Sequence, residues 1–371
     1  MDPVRSQPLP SEGRIRPRHR MLLPRETLLR AAAYLDQLRS GQVQAGRKLA
    51  SRIGTGELRE TDPMGLLASL CDTKVPCIFA ESAVAGNGTD WNATELGLLG
   101  DISCAVRVNI HDDGTHSEPV VHDESFAGML VFTSGALLRA SSGTPADWDE
   151  VVAADGSFSR AGYLELYRRR LLPGFDFINR TASGARRACV TIPGMGCGQF
   201  AGRFRGRLGE EFRIVLEALL AEHGARWPNI GLVRFDPYSE CRNDERTHHG
   251  ICFRVRPFRA LGDMGRPQLC RPEDYAEGGE DLSKMELFSW VAWDHVSWPG
   301  NDFYRGHRAT DDGVKAAATD CMAVLTGVEG RYSSVLRAYV PPKGFETWED
   351  VVLDGVRTRG LRLSDAIWEV G

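Results

Sequence analysis

One segment of the chain constrains the fold more than any other: an apolar strand, a glycine-rich loop, a long amphipathic helix and a second apolar strand follow in succession. The strands are predicted over 188–193 and 229–236, and the loop reads VTIPGMGCGQFAG at 190–202. The helix is predicted over 208–224, where six apolar residues form one stripe and Gly224 provides a stop. Strands and helices that alternate in this way favour an α/β layered domain.

The rest of the chain continues the alternation. Runs rich in β-branched and apolar residues predict strands over 102–110, 129–134, 250–258 and 286–293. Apolar residues at helical spacing predict helices over 26–41, 64–71, 163–172 and 314–327. VLRAYVPP at 335–342 precedes a last short helix or strand, and RNDERTHHG at 242–250 is interpreted as a charged, solvated loop.

The two ends of the chain differ in character. The first 20 residues are rich in Arg and Pro and contain no apolar core of a secretory signal peptide, so we expect a disordered basic tail over 1–24. A helical N-terminal extension is expected over 25–64. A single α/β catalytic domain is expected over 65–371.

Composition limits the classes of function. The 371 residues are 42% hydrophobic, which is enough for a sizeable core, and the net charge of −5 argues against a general nucleic-acid binder. No apolar run approaches the roughly 20 residues that span a bilayer, so no membrane association is expected. Nine scattered Cys without a CxxC pair indicate reduced thiols in a cytosol-like compartment. The sequence leaves open whether the protein is exported as an effector.

The glycine loop allows two interpretations. Gly194, Gly196, Gly198 and Gly202 match neither a Walker A loop nor a dinucleotide fingerprint. The loop could cradle a phosphate with its backbone N–H groups, or it could be a tight turn for close helix–sheet packing. Cys197 has no evident His partner in the sequence, which argues against a thiol nucleophile. Phe200 could belong to the core or flank a ribose.

A second segment, SWPGNDFYRGHRATDDG at 297–313, is acidic, aromatic and glycine-rich together. Thr310 or one of the adjacent Asp311 and Asp312 is expected to cap the following helix. Capping does not explain Asp294 at the end of a predicted strand, or Asp302 beside aromatic residues. Carboxylates grouped on irregular backbone can activate a water, hold a guanidinium or bind Mg²⁺.

Together these two segments resemble macrodomains. The strand, loop, helix and strand look like the ADP-ribose-binding unit of that fold, and WDHVSWPGNDFYRGHRATDDGVKAAATD at 293–320 resembles the MavL-type effector macrodomains. The resemblance implies a three-layer α/β/α sandwich with a mixed sheet. It also implies hydrolysis of the bond between ADP-ribose and arginine on ubiquitin, with Asp294, Asp302 and Asp312 as the functional carboxylates.

The resemblance also proposes where the ligand binds. Contacts are expected from the glycine loop and the helix start, at Gly194, Gly196, Cys197, Gly198, Gln199, Phe200 and Asp311. The chain departs from ordinary macrodomains because the Asn-Ala-Ala-Asn type of loop is missing. Its work is therefore assigned to the segment 80–103, with Asn87, Trp91, Asn92 or Asp101 near the ligand.

We therefore expect a hydrolase of arginine-linked ADP-ribose whose partners are ADP-ribose and an ADP-ribosylated protein, with ubiquitin as the first candidate. Either Asp302 or Asp312 would position the water, and another Asp, with Asp294 as the candidate, would hold the guanidinium. No metal cofactor is expected, although an acidic cluster could bind Mg²⁺. The alternatives are a reader that binds ADP-ribose without turnover, a hydrolase of poly(ADP-ribose) or O-linked ADP-ribose, and a structural protein with an acidic loop.

Overall fold

The computed structural model describes residues 19–54, 56–78, 89–140, 143–182, 186–259 and 264–371. Its strands are β1 (His19–Leu23), β2 (Ser103–Asp112), β3 (Val121–Ser134), β4 (Ala188–Pro193), β5 (Ile230–Asp236), β6 (Asp244–His248), β7 (Ile251–Val255), β8 (Glu286–Trp293), β9 (Arg331–Ser333), β10 (Ala338–Val340) and β11 (Ile367–Val370). Its helices are α1 (Arg25–Ser40), α2 (Arg47–Ala50), α3 (Glu57–Glu60), α4 (Pro63–Cys71), α5 (Ala93–Gly100), α6 (Trp148–Val151), α7 (Arg160–Thr181), α8 (Leu208–His223), α9 (Asp311–Ala317), α10 (Cys321–Thr326) and α11 (Trp348–Arg359). Short 3₁₀ helices lie at Gln199–Phe204, Gly224–Arg226, Pro272–Tyr275 and Asn301–Arg305.

Within the described residues, nine strands form one mixed sheet in the order β11-β1-β2-β3-β8-β4-β5-β7-β6. The five central strands, from β3 to β7, run parallel to one another, and β2 and β6 pair with them in the antiparallel sense. Ligands of open α/β sheets bind outside the carboxyl ends of the parallel strands. The loops that follow β3, β4, β5 and β8 share that edge, and they carry the glycine loop and Asp294.

Helices cover both faces of the sheet, which gives the expected α/β/α sandwich. Alternate residues of the strands point to opposite faces: Val106 and Leu130 join the core under α1, α4, α5 and α9–α11, while Ala105 and Val131 join the core under α7 and α8. The stripe predicted on α8 packs into this second core, as the amphipathic pattern requires.

The N-terminal part of the prediction requires a correction. The tail expected over 1–24 includes His19–Leu23, which form β1 between β2 and β11 in the main sheet. Met21, Leu22 and Leu23 are almost completely buried. This short apolar run forms a strand because β2 and β11 pair with it, which the Arg-rich sequence around it does not reveal. Residues 1–18 lie outside the described part of the chain.

Three other elements differ from the prediction, each because of tertiary contacts. The segment 242–250 contains β6, which lies at the sheet edge with its charged side chains half-buried or exposed. Helix α7 continues through Pro173 because Phe175, Phe177 and Ile178 bury its second half. The single helix predicted over 314–327 is divided into α9 and α10.

The division between α9 and α10 has a local cause. The carboxylate of Asp320 accepts hydrogen bonds from the backbone amide and the side-chain amide of Asn109, both at 2.7 Å. The carbonyl of Ala318 accepts from the amide of His111 at 2.9 Å. These bonds to β2 replace helical bonds at the break, so the sheet interrupts a sequence with good helical propensity.

Candidate active site

Three buried carboxyl groups meet at the carboxyl edge of the sheet. Asp294 follows β8, Asp302 lies in the 3₁₀ helix Asn301–Arg305, and Asp312 lies in the first turn of α9. They are 7%, 2% and 3% exposed, which is rare for carboxyl groups without a function or a full set of partners. The negative charges of Asp294 and Asp302 both act on the pKa of Asp312, so the three groups form one electrostatic cluster.

Asp294 is fixed by its own turn. Its Oδ1 accepts from the amides of Val296 at 2.8 Å and Ser297 at 2.7 Å, and its Oδ2 accepts from the Ser297 hydroxyl at 2.6 Å. Its carbonyl accepts from the Ser134 hydroxyl at 3.1 Å, which ties the turn to the end of β3. The carboxylate of Asp294 therefore has one orientation, and donors satisfy both of its oxygens.

Asp302 is also held by protein donors. Its Oδ2 accepts from the amides of Ala309 at 2.7 Å and Thr310 at 3.0 Å, and its Oδ1 accepts from the Thr310 hydroxyl at 2.5 Å. A Cβ atom at Gly313 would lie 1.7 Å from Oδ1 of Asp302. Gly313 is therefore needed for the carboxylate to approach the start of α9.

Asp312 differs from the other two because one of its oxygens is free. Oδ1 lies 2.7 Å from the Thr310 hydroxyl, whereas Oδ2 is buried and has no hydrogen-bond partner among the described residues. Burial raises the pKa of Asp312 well above its usual range, and the charges of Asp294 and Asp302 raise it further. Asp312 therefore holds a proton at pH values where an ordinary carboxyl group would have lost it.

Asp311 has a different environment from its neighbour. Its Oδ2 accepts from the amide of Ala292 at 2.8 Å and from Lys315 Nζ at 3.1 Å, and Lys315 also donates to Oε1 of Gln268 at 2.7 Å. These contacts attach α9 to β8. Thr310 is the helix N-cap, as one of the sequence-based alternatives predicted, because its hydroxyl accepts from the amide of Gly313.

The glycine loop lies at the end of β4 and packs closely on the loop after β3. A Cβ at Gly196 would lie 2.8 Å from the amide nitrogen of Ala136, and Gly196 has a φ of 74°. The amides of Met195 and Cys197 are bonded inside the loop. The amide of Gly194 belongs to the β4–β5 ladder, where Pro193 pairs with Asp236. The amides of Gly196 and Gly198 have no acceptor in the described part of the chain, and no atom lies within 4 Å of a Cβ built at Gly198. The loop is therefore a tight turn that leaves two backbone amides without an acceptor.

The remaining loop residues have distinct surroundings. Cys197 is buried and its thiol pKa lies well above the ordinary value, so the thiol is unsuited to be a nucleophile. Gln199 is exposed and its Oε1 accepts from Arg139 at 3.1 Å. The ring of Phe200 lies edge-on to the ring of His295 at 5.9 Å, which brings the glycine loop next to the turn of Asp294.

A family model named macrodomain effector MavL matches residues 19–345, which is most of the chain. The chain belongs to the MavL family of macrodomain effectors. The match begins at β1, ahead of the catalytic domain that the sequence predicted over 65–371. No curated protein matches the chain.

Membership of the MavL family implies a macrodomain function related to ADP-ribose. The fold agrees with that assignment, because the glycine loop and the carboxylate cluster lie at the same edge of the sheet. None of the helices in the described ranges is long and apolar enough to cross a membrane.

The MavL-family chain uses Trp91 and Asn92 in packing and capping. Trp91 is 2% exposed and donates from Nε1 to the Thr73 hydroxyl at 2.8 Å. Asn92 caps α5 by accepting from the amide of Glu95 at 2.9 Å, and its side-chain nitrogen donates to the hydroxyl of Tyr34 at 2.7 Å. The structure therefore gives both side chains protein partners, and their predicted contact with the ligand remains a prediction.

Asp101 is the centre of a buried ion-pair network, and its predicted contact with the ligand remains a prediction. Its oxygens accept from Thr27 at 2.8 Å, Arg30 at 2.5 Å, Arg169 at 2.9 Å and Arg170 at 3.2 Å. These bonds join α1 to α7. Asn87, the remaining candidate of this group, lies outside the described residues.

Two groups beside the carboxylates were missed in the sequence. Lys74 is 4% exposed, donates from Nζ to the carbonyl of His295 at 2.6 Å, and lies over the Trp293 ring at 3.9 Å. His295 is completely buried, and burial lowers the pKa of its imidazole. A lysine between two apolar runs, as in SLCDTKVPCIF at 69–79, was the available signal for Lys74.

A buried ion pair supports the neighbouring loop. Arg170 donates to the carboxylate of Asp147 at 2.7 and 3.0 Å and to the carbonyl of Gly135 at 3.0 Å. Asp147 also accepts from the amide of Leu137 at 2.7 Å. The pKa of Asp147 lies below its usual range because the attraction of Arg170 and the contact with His295 outweigh the effect of burial. The loop after β3, on which the glycine loop packs, is therefore rigidly held.

Proposed function

We propose that this MavL-family protein is an ADP-ribosylhydrolase that cleaves the N-glycosidic bond between ADP-ribose and arginine on a modified protein, with ubiquitin as the first candidate. The observation that carries the proposal is the unequal state of the three carboxyl groups. Asp294 and Asp302 have every oxygen satisfied, whereas Asp312 keeps a buried oxygen that has no partner among the described residues. A buried polar atom without a partner is costly unless a ligand or water completes it.

The chemistry assigned to Asp312 follows from its pKa. A general base works best when its pKa is close to the operating pH, and burial brings this carboxyl group towards that range. In the proposed reaction, a water oxygen forms a bond to the anomeric carbon of the distal ribose. The bond from that carbon to the arginine nitrogen breaks, and its electron pair remains on the guanidine. Asp312 takes the proton of the water and passes it to the guanidine, which leaves as a cation.

Asp294 and Asp302 have an electrostatic role in this proposal. An oxocarbenium-like transition state is positively charged, and fixed negative groups stabilise it without reorganising. Because hydrogen bonds already orient both carboxylates, they favour the bound guanidinium and the developing charge on the ribose. Asp312 thus acts on the water, whereas Asp294 and Asp302 act on the guanidinium and on the positively charged ribose of the transition state.

The glycine loop supplies the proposed binding site for the pyrophosphate. The amides of Gly196 and Gly198, which have no acceptor among the described residues, are available to phosphate oxygens, and Gly198 has open space around it. Phe200 connects this loop with the carboxylate side through its contact with His295. A ligand with a pyrophosphate at one end and a distal ribose at the other fits this arrangement of groups.

We propose that the reaction needs no metal ion. Both oxygens of Asp294 and both oxygens of Asp302 already accept hydrogen bonds from protein donors, which makes these carboxylates poor ligands for a cation. In the described ranges, no group of three His, Cys, Asp or Glu is placed to hold one. Activity that is unchanged in EDTA supports this proposal, and activity lost in EDTA and restored by Mg²⁺ refutes it.

The experiment is release of ADP-ribose from ubiquitin that carries ADP-ribose on arginine. The natural chain is compared with Asp302→Ala and Asp312→Asn, and Asp281→Asn on the exposed surface is the control. We expect release by the natural chain and the control only, with ADP-ribose bound by all four proteins. Binding without release by the natural chain identifies a reader, and release from serine-linked or polymeric ADP-ribose alone identifies a different linkage.

A further inference from the structure

Lys74 is a buried cation that the proposed chemistry does not yet use. It follows α4, in a stretch that bonds to the turn after Asp294: the amide of Val75 donates to the carbonyl of Val296 at 3.0 Å, and the amide of Trp298 donates to the carbonyl of Val75 at 2.8 Å. The Lys74 ammonium itself donates to the carbonyl of His295. The side chain and backbone of residues 74–75 thus hold the segment that carries Asp294.

The ammonium contacts residues on both sides of Asp294. It lies 3.9 Å from the centre of the Trp293 ring and 2.6 Å from the carbonyl oxygen of His295. A desolvated ammonium over an aromatic face is attracted by the negative face of the ring. These contacts fix the position of the backbone on which the Asp294 carboxylate is built.

Apart from Asp294, the groups of the described chain that act on the charge of Lys74 are two thiols, which are neutral near neutral pH. Burial raises the pKa of the Cys71 thiol to about 12 and raises that of Cys104 further, so both thiols stay protonated near neutral pH. The pKa of His295 is lowered by burial, so the imidazole stays neutral. Asp294 is the carboxylate that attracts the Lys74 charge.

A buried lysine is costly for the fold. Burial lowers its pKa to about 8, which shows that the folded chain holds the charge less readily than water does. Replacing a buried charge with an apolar group of similar volume is often neutral or stabilising. Stability alone therefore does not explain a buried lysine at position 74. A role at the neighbouring Asp294 carboxylate does explain it.

We infer that Lys74 is a positioning residue for the hydrolysis: it fixes the turn 293–295 and places a positive charge beside the carboxyl cluster of Asp294, Asp302 and Asp312. This inference rests on the proposed function. Without the ammonium, three acidic groups would share one buried site and lose the nearby cation that offsets their mutual repulsion.

The test compares Lys74→Met, which keeps the length of the side chain, with Lys74→Arg, which keeps its charge. Lys48→Met is the matched control, because Lys48 is also a lysine over a tryptophan ring, 5.8 Å from the centre of Trp91. Turnover of arginine-ADP-ribosylated ubiquitin is measured from about pH 5 to about pH 9, together with ADP-ribose affinity and the melting temperature.

We expect Lys74→Met to lower kcat about tenfold at neutral pH, to leave the affinity for ADP-ribose within about twofold, and to leave the melting temperature unchanged or higher. The acid limb of its kcat profile should move to higher pH, because the buried carboxyl cluster as a whole has lost a nearby cation, and a nearby cation favours the charged forms of acidic groups. Lys74→Arg should keep the natural pH profile, and Lys48→Met should keep both kcat and profile.

Three results would overturn the inference. One is a kcat of Lys74→Met equal to that of Lys48→Met. Another is a loss of kcat, ADP-ribose affinity and melting temperature together, which indicates packing alone. If Lys74→Met does not fold, Lys74→Arg decides, and a shifted acid limb in that variant refutes the role of the charge. A natural chain that binds ADP-ribose but releases none from any linkage refutes the proposed function itself, and with it this inference.

Discussion

Asp302 and Asp312 share one hydroxyl group: the Oγ1 of Thr310 lies 2.5 Å from Oδ1 of Asp302 and 2.7 Å from Oδ1 of Asp312. A threonine hydroxyl has one proton and can donate to only one of them. The raised pKa of Asp312 favours its protonated form, in which Asp312 donates to Thr310 and Thr310 donates to Asp302; when Asp312 is ionised and can act as a base, Thr310 can donate to only one of the two carboxylates. Thr310 therefore links the protonation of Asp312 to the charge of Asp302.

Replacing Thr310 with Val should abolish this link. The variant also loses the N-cap of α9, which costs about 1 kcal/mol of stability. We expect turnover to fall at least tenfold, whereas Thr310→Ser should retain most of it because serine keeps the hydroxyl. Turnover and urea denaturation of the three proteins check this.

The control for Thr310→Val is Thr347→Val. Thr347 caps α11 in the same way, with its hydroxyl accepting from the amide of Asp350 at 3.2 Å. The control should lose about the same stability and keep its turnover. Equal turnover in Thr310→Val and Thr347→Val would show that Thr310 acts only as a cap.

The stability that Asp312→Asn gains over the natural chain should increase as the pH rises. The pKa of Asp312 is raised in the folded state, so ionising it costs more in the fold than in the unfolded chain. The natural chain therefore loses stability from about pH 4, where an unfolded Asp ionises, up to the folded pKa of Asp312. The variant does not titrate, so its advantage in melting temperature should grow over that range.

Asp155→Asn provides the opposite sign as a control. The Ser157 side chain and amide lower the pKa of Asp155, so its charged form is favoured in the fold. Its replacement should give no advantage that grows with pH. Thermal melts from about pH 4 to about pH 8 separate the two cases, and a constant difference for Asp312→Asn would contradict the burial of its charge.

The sequence was most informative where one pattern had one physical solution. The strand at 188–193, the glycine loop, the helix at 208–224 and the strand at 229–236 are present almost residue for residue. The resemblance to MavL-type macrodomains singled out Asp294, Asp302 and Asp312, and the fold brings these three carboxyl groups together. An Asp at the end of an apolar strand is a strong signal, because it lies where parallel strands present ligands.

Other features could not be predicted because local sequence is ambiguous about them. An Asn at position 92 is suited both to a ligand contact and to a helix cap, so its residue type does not distinguish the two. Its bond to Tyr34 joins residues 58 positions apart in the chain, which local sequence does not reveal. Asp101 has no local signal for its four donors, which come from α1 and α7. The burial of Lys74 depends on the turn after β8, which its neighbours in sequence do not reveal.

Breaking the pair of Arg308 and Asp112 should destabilise the segment between Asp302 and Asp312. Arg308 donates to the two oxygens of Asp112 at 2.7 and 3.0 Å, and Asp112 is completely buried. Arg308→Gln leaves that carboxylate buried without its cation, which should cost about 3 kcal/mol. Chemical denaturation measures the loss, and turnover should fall because the Asp302 donors lie next to Arg308 in the chain.

The exposed pair of Arg357 and Asp354 is the control for this loss. Its partners are 78% and 37% exposed, so Arg357→Gln should change the free energy of unfolding by about 0.5 kcal/mol or less. A similar cost for both substitutions would show that Arg308 does not stabilise the segment through a buried ion pair.

Two glycines of the glycine loop should respond differently to substitution by alanine, because only one of them has room for a methyl group. At Gly196 the φ of 74° and the 2.8 Å approach to Ala136 predict a loss of stability of about 1 kcal/mol or more. At Gly198 the added methyl group meets no protein atom, so it should obstruct a bound pyrophosphate instead. We expect Gly198→Ala to weaken ADP-ribose binding about tenfold, with a smaller change in melting temperature than Gly196→Ala. Calorimetric titration and thermal melts of both variants check this, and unchanged affinity in Gly198→Ala would mean that the phosphates bind elsewhere, because a methyl group on the open side of the loop could not avoid them.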